Sequence, residues 1–121
     1  MPRIVHFEIP ADDPGRAVDF YTKVFGWQIN KWDGPIDYWL VKTGESDQPG
    51  IDGGIVQRAE NAVTVNTVDV HSVDDLVDKI EKAGGKVVQP KIAVPGVGYM
   101  AYCADTEGNV FGIMQEDPNA S

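Results

Sequence analysis

Two stretches of the chain repeat their apolar residues with the 3.6-residue spacing of an amphipathic helix. In residues 12–26, Asp12 or Asp13 stands at the cap position and Pro14 suits the first turn. Ala17, Phe20, Tyr21 and Val24 then line one face, and Gly26 ends the run. In residues 72–85, Ser72 is the cap and Asp75 completes a capping-box-like pair. Val73, Leu76, Val77, Ile80 and Ala83 form its apolar face, and Gly84-Gly85 stops it. Lys79 and Lys82 suit the negative end of that helix's dipole. Elsewhere short β-rich runs replace the helical spacing. Strands are predicted over residues 3–10, 27–33, 37–43, 52–58, 62–70, 86–91, 98–104 and 109–115. Asp33-Gly34-Pro35, Pro49-Gly50, Pro95-Gly96 and Glu107-Gly108-Asn109 mark turns between them. In the first strand Val5, Phe7 and Ile9 share one face and Ile4, His6 and Glu8 the other. The apolar set is expected to meet the helix, leaving His6 and Glu8 on the open side.

The pattern is written twice. At an offset of 59 residues, Val18-Asp19 falls on Val77-Asp78 and Gly26 on Gly85. The preceding strands follow, with Ile4 on Val63, His6 on Val65, Glu8 on Thr67, Ile9 on Val68 and Ala11 on Val70. After the helices the offset drifts, as loops allow. "GPIDYW" is similar to "PGVGYM", pairing Tyr38 with Tyr99, and "GGIVQ" to "FGIMQ", pairing Gly54 with Gly112 and Gln57 with Gln115. Each half reads βαβββ, residues 1–59 and 60–121, joined by a short polar link around residues 58–61. A half of this size cannot bury both faces of its sheet, so the halves are expected to form one domain over 1–121 or to pair with another chain.

Composition narrows the function classes. The chain has 121 residues, 42% of them hydrophobic, which suits one compact domain. A net charge of −9 argues against nucleic acid or an anionic membrane as a partner. No apolar run is long enough to cross a bilayer, and no secretory leader is recognisable. One cysteine, Cys103, cannot form an internal disulfide and suits a cytoplasmic setting. It sits in an apolar strand and reads as a buried thiol, while His71, beside the capping Ser72, reads as a surface residue.

A doubled βαβββ unit of this length resembles the vicinal oxygen chelate superfamily, which includes glyoxalase I, extradiol dioxygenases and bleomycin-binding proteins. "HFEIPADDPGRAVDFYTKVFGW" resembles its opening strand and helix, and "DTEGNVFGIMQ" its last turn and closing strand. The resemblance implies an α+β, glyoxalase-like fold, with two tandem βαβββ modules forming a curved mixed sheet around a central cavity. It also implies a homodimer. In metal-dependent members, the first and last strands of each module each supply one ligand to a divalent ion. That ion acts as a Lewis acid on two adjacent substrate oxygens.

Carried over by position, those four ligands fall on His6, Val65, Gly54 and Gly112. Only His6 can bind a metal, whereas such a site needs at least three protein ligands. The expectation is therefore no metal and no cofactor, with a small organic molecule as partner. Tyr38 or Trp39, and Tyr99, Met100 or Tyr102, are the aromatic candidates for a pocket wall; His6, Glu8, Trp39, Thr67, Tyr99 and Tyr102 are taken as its ligand-binding set. The sequence assigns no catalytic residue and names no reaction, although His6 and Glu8 have the chemistry for proton transfer. One alternative is a metal-dependent lyase, isomerase or dioxygenase with an irregular ligand set including His6, drawing on Glu8 and Asp69. A second is an assembly subunit without a ligand.

Overall fold

The computed structural model describes residues 1–60 and 62–121. The elements run β1 (Arg3–Ala11), α1 (Pro14–Phe25), β2 (Gln28–Lys31), β3 (Tyr38–Lys42), β4 (Asp52–Gln57), β5 (Val65–Asp69), α2 (Val73–Lys82), β6 (Lys86–Val94), β7 (Gly98–Ala104) and β8 (Val110–Glu116). All eight predicted strands and both helices are present, in an α+β arrangement of two βαβββ modules. The linking residue Asn61 lies outside the described residues. Residue contacts divide the chain into two compact units, His6–Thr64 and Val65–Ser121 with Met1–Val5.

The helix ends follow from their sequence. Asp13 accepts a hydrogen bond from the Arg16 N–H, and Gly26 closes α1 in the left-handed region at φ 72°. Ser72 accepts from the Asp75 N–H at the start of α2, with Lys79 and Lys82 in its last turn. The second helix ends at Lys82 with Ala83 as its cap, and Gly84 takes the positive φ of 99°. β6 runs three residues beyond its expected end. It pairs only with β7 among the described pairings, and Pro90 falls where the register shifts between Gln89 and Ile92. A proline at that point removes no ladder hydrogen bond.

Each unit repeats one topology. In the first, β4 lies between β1, to which it is parallel, and β3, to which it is antiparallel; β2 flanks β3. In the second, β8 lies in the same way between β5 and β7, with β6 outside. The registers match too: Glu8 faces Gly54 and Thr67 faces Gly112. Gln57 donates to the Asp12 carbonyl at the start of α1, and Gln115 accepts from the Val73 N–H at the start of α2. The pairing of Tyr38 with Tyr99 does not hold. Tyr38 faces Val56, whereas Tyr99 faces Gln115 and Met100 faces Met114. Because Val56 corresponds to Met114, Tyr38 corresponds to Met100. The loop after β3 is longer than the one after β7, so the offset drifts by one more residue than the sequence similarity suggests.

Each unit buries one sheet face under its helix. Ala11, Val41 and Ile55 form the first core, with Phe7, Ile9, Ala17, Val18, Tyr21, Trp27, Ile29 and Trp39 packed on it. Val70, Val73, Ala101, Cys103 and Ile113 form the second, closed by Leu76, Val77 and Ile80 of α2. Burying an isoleucine such as Ile55 or Ile113 contributes roughly 1.5–3 kcal/mol. The packed face of α1 differs from the expected one: Val18 turns inward, while Phe20 and Val24 are 55% and 54% exposed. Tyr21, Phe25 and Trp27 stack beside them.

Candidate functional site

Strand alternation sets which side chains reach the open face of the first unit. Phe7 and Ile9 pack on the helix side, so His6 and Glu8 point the other way. The same parity puts Trp39 and Val41 under α1 and leaves Tyr38 and Leu40 on the open face. On β4, Ile55 is core, so Asp52, Gly54 and Val56 join His6 and Tyr38.

His6 and Tyr38 meet there. The His6 Nε2 and the Tyr38 hydroxyl are 2.6 Å apart, a short hydrogen bond between half-buried groups, and the ring centroids lie 6.2 Å apart. Trp32 stands edge-on to Tyr38 at 6.3 Å, and its backbone N–H donates to the Tyr38 carbonyl. Gly54 makes this arrangement possible, because a Cβ there would run into the Tyr38 ring. Asp52 faces His6 across the β1–β4 pair and accepts from both the N–H and the hydroxyl of Thr43.

Burial pushes the His6 imidazole below its usual pKa; Glu8 and Asp52 pull it back up but do not overcome the burial. Between the two titration points, the unfolded chain binds a proton that the folded chain does not. Stability is therefore expected to fall as pH drops from the ordinary imidazole value towards the folded one, and to stop falling below it. A His6→Gln variant is expected to lose this slope. Urea unfolding of both proteins across that range checks it, and an unchanged slope in the variant would contradict it.

The second unit has a related arrangement without an imidazole. Thr67 is buried opposite Gly112, and a Cβ on Gly112 would lie 3.0 Å from the Thr67 hydroxyl and 3.6 Å from the Tyr102 ring. Val65, on the same face, is buried and apolar. Of the candidate set, His6 and Glu8 share the first unit's open face, and Thr67 and Tyr102 share the second's. Two candidates are placed elsewhere. Trp39 packs in the first core, with the Lys31 ammonium 5.6 Å from its ring centroid. Tyr99 packs against the second, with Lys91 4.7 Å from its centroid and Lys91 paired to Asp74. Tyr38, the neighbour of Trp39, is the residue bonded to His6. His71 is exposed, and Cys103 is buried as a free thiol, its pKa pushed up by burial and then by Glu81.

The donors present do not fit a resident divalent ion. Gly54 and Gly112 have no side chain to offer, Val65 is apolar, and His6 Nε2 is engaged by Tyr38. Among the described residues, no three His, Cys, Asp or Glu side chains converge to hold an ion.

A glyoxylase-like domain-containing protein of Didymella fabae is 33% identical to this chain over 119 residues, covering 92% of the chain and 91% of that protein. The chain belongs to the glyoxalase-like, vicinal oxygen chelate family. The family model "Bleomycin resistance protein-like N-terminal" matches residues 3–44 of this glyoxalase-like chain. Anthracycline biosynthesis protein DauV of Streptomyces sp. (strain C5) is 27% identical over 129 residues, covering 91% of the chain. The chain spans about half that relative's length (46%). Solved structures share the fold at lower identity. A hypothetical protein from Bacillus halodurans C-125 matches with a TM-score of 0.73 at 11% identity, covering 99% of this chain and 98% of its own. Streptomyces coelicolor methylmalonyl-CoA epimerase matches with a TM-score of 0.69 at 16% identity, covering 98% and 97%. No helix among the described residues is long and apolar enough to cross a membrane.

Proposed function

We propose that this glyoxalase-like protein works without a resident divalent metal and binds a small, flat organic molecule against the open face that carries His6 and Tyr38. One observation carries the reading: Tyr38 bonds the imidazole nitrogen and lays its ring over Gly54. In the metal-dependent pattern that imidazole would serve the ion. Here it orients a phenol, and the phenol sits beside Trp32 and the exposed Leu40. Aromatic walls with a few converging polar groups suit a ligand that is apolar across its plane and polar at its edge. Similarity to an anthracycline biosynthesis protein supports a flat, oxygenated ring system as the ligand class. Exposed Phe20, Val24 and Phe25 on α1 support a homodimer, and the lone buried thiol supports a reducing, cytoplasmic setting.

Protein purified without chelator is expected to contain substoichiometric metal by mass spectrometry. It should quench its tryptophan fluorescence on titration with a hydroxylated anthraquinone, and light scattering should give twice the 13.2 kDa chain mass. Stoichiometric metal that disappears in a His6→Ala variant would overturn the reading in favour of a metal enzyme with irregular ligands.

A further inference from the structure

We infer that two copies of the chain pair through the outward faces of their α1 helices, which run antiparallel about a two-fold axis. The inference rests on the homodimer reading above and names the residues that make the contact.

The second helix shows what an outer face looks like when it stands in water. At the offset of 59 residues, Asp19, Phe20, Lys23 and Val24 of α1 fall on Asp78, Lys79, Lys82 and Ala83. α2 turns Leu76, Val77 and Ile80 onto its core and, among the described residues, leaves no large apolar side chain exposed. Its Asp78 and Lys82 close an ion pair at 2.9 Å, one turn apart on the outer face. α1 packs Ala17, Val18 and Tyr21 inward, yet Phe20 and Val24 stay more than half exposed on its outside. Asp19 and Lys23 have the spacing of Asp78 and Lys82 but form no ion pair among the described residues. An apolar ridge beside two unpaired opposite charges marks an interaction face.

That face complements itself. A groove of about 370 Å³ runs beside the first half of α1, with Ile9, Pro10, Asp13, Arg16, Ala17 and Phe20 in its lining. At 3.6 residues per turn, Val24 lies on the groove side of Phe20, and Asp19 and Lys23 lie on the opposite flank. A two-fold axis perpendicular to α1 near Tyr21 reverses the helix but keeps each flank on its own side. Val24 of each copy then enters the other's groove, at the turn that holds Asp13, Arg16 and Ala17. Asp19 of each copy meets Lys23 of the other, twice by symmetry. One surface thus supplies the knob, the hole and both charges, as a contact between identical patches requires. A net charge of −9 on each copy opposes association in general. The crossed Asp19–Lys23 pairs attract locally and add no net charge at the contact.

Sedimentation equilibrium over a range of protein concentrations reads the association. Phe20→Lys with Val24→Ala gives α1 the residues that α2 carries at those places. This double variant should weaken the dimer at least about tenfold, with an unchanged far-ultraviolet circular dichroism spectrum. Asp19→Lys alone and Lys23→Asp alone should each weaken it as well, because like charges then face each other across the axis. Mixed in equal amounts, these two single variants should pair with one another, since every crossing becomes Lys against Asp. Only contact between chains can produce that recovery, so a folding defect in either variant cannot mimic it. A dimer unaffected by any of these substitutions would overturn the α1 interface and leave the homodimer reading standing. Single variants that weaken the dimer but do not recover on mixing would overturn the two-fold arrangement. Wild-type protein that stays monomeric at every concentration would overturn the interface together with the homodimer reading. Uptake of phosphatidylcholine vesicles by that monomer would assign the face to a lipid surface instead.

Discussion

Gly53→Ala is expected to destabilise the protein by about 3 kcal/mol, at the upper end of typical overpacking costs. Gly53 lies directly opposite Phe7 in the parallel pair of β1 and β4. An added Cβ would run into the Phe7 carbonyl oxygen as well as its ring. A carbonyl within a strand ladder cannot swing aside, so β1 and β4 would have to separate and weaken their hydrogen bonds. The neighbouring glycine gives the contrast. The atoms nearest to a Cβ on Gly54 belong to the far end of the Tyr38 side chain, which can rotate away. Gly54→Ala should therefore lose little more than the His6–Tyr38 bond, about 1 kcal/mol. It should also raise the His6 pKa, because water returns to the imidazole while Glu8 and Asp52 remain. Chemical denaturation and proton NMR of His6 measure the two effects. Equal costs for the two variants would show that the backbone approach at Gly53 does not constrain the sheet.

Ile113→Ala is expected to cost 2–5 kcal/mol, the range for emptying a fully buried aliphatic site. Ile113 is 1% exposed and lies among Val70, Val73, Ala101 and Cys103 beneath α2. The surrounding side chains come from the residue after β5, the start of α2 and β7, so collapse into the space would need all three to move. Ile55→Ala should behave alike in the first unit, where Ile55 is 0% exposed between Ala11 and Val41. Ile113→Val, which removes one methylene, should cost only about 0.5–1.5 kcal/mol. Urea unfolding at fixed pH gives all three values. A loss below about 1 kcal/mol for Ile113→Ala would mean that α2 is not held by this residue.

The fold was legible because its punctuation is strong. Asp13-Pro14 and Ser72 start helices, Gly26 and Gly84 stop them, and the Gly- and Pro-bearing turns separate the strands. The direction of His6 was also legible, because Phe7 and Ile9 flank it with residues that belong under a helix. The partner of His6 was not. In "DYWLV" and "GYMAY" large apolar side chains occupy successive positions, so alternation between apolar and polar residues cannot say which of them turns inward. Trp39 and Tyr99 pack against the cores, and Tyr38 and Met100 face the open side. The glycines told a partial story. Gly54 announced that no ligand stands there, but only the cross-strand register shows that Tyr38, 32 residues from His6 in sequence, fills the space.

The interruption in β6 bears on how copies of the chain can meet. An exposed strand edge offers a row of unpaired amides and carbonyls on which another chain can build. Pro90 has no amide to lend, the register slips around it, and Lys86 and Lys91 set charge along the same strand. In the first unit, the outer strand β2 offers only four residues, one of them Lys31. Both of these outer strands are thus poor templates for growth by strand addition. Association of this acidic chain should proceed through side-chain surfaces that close on themselves, giving small assemblies of fixed number in place of open-ended fibres.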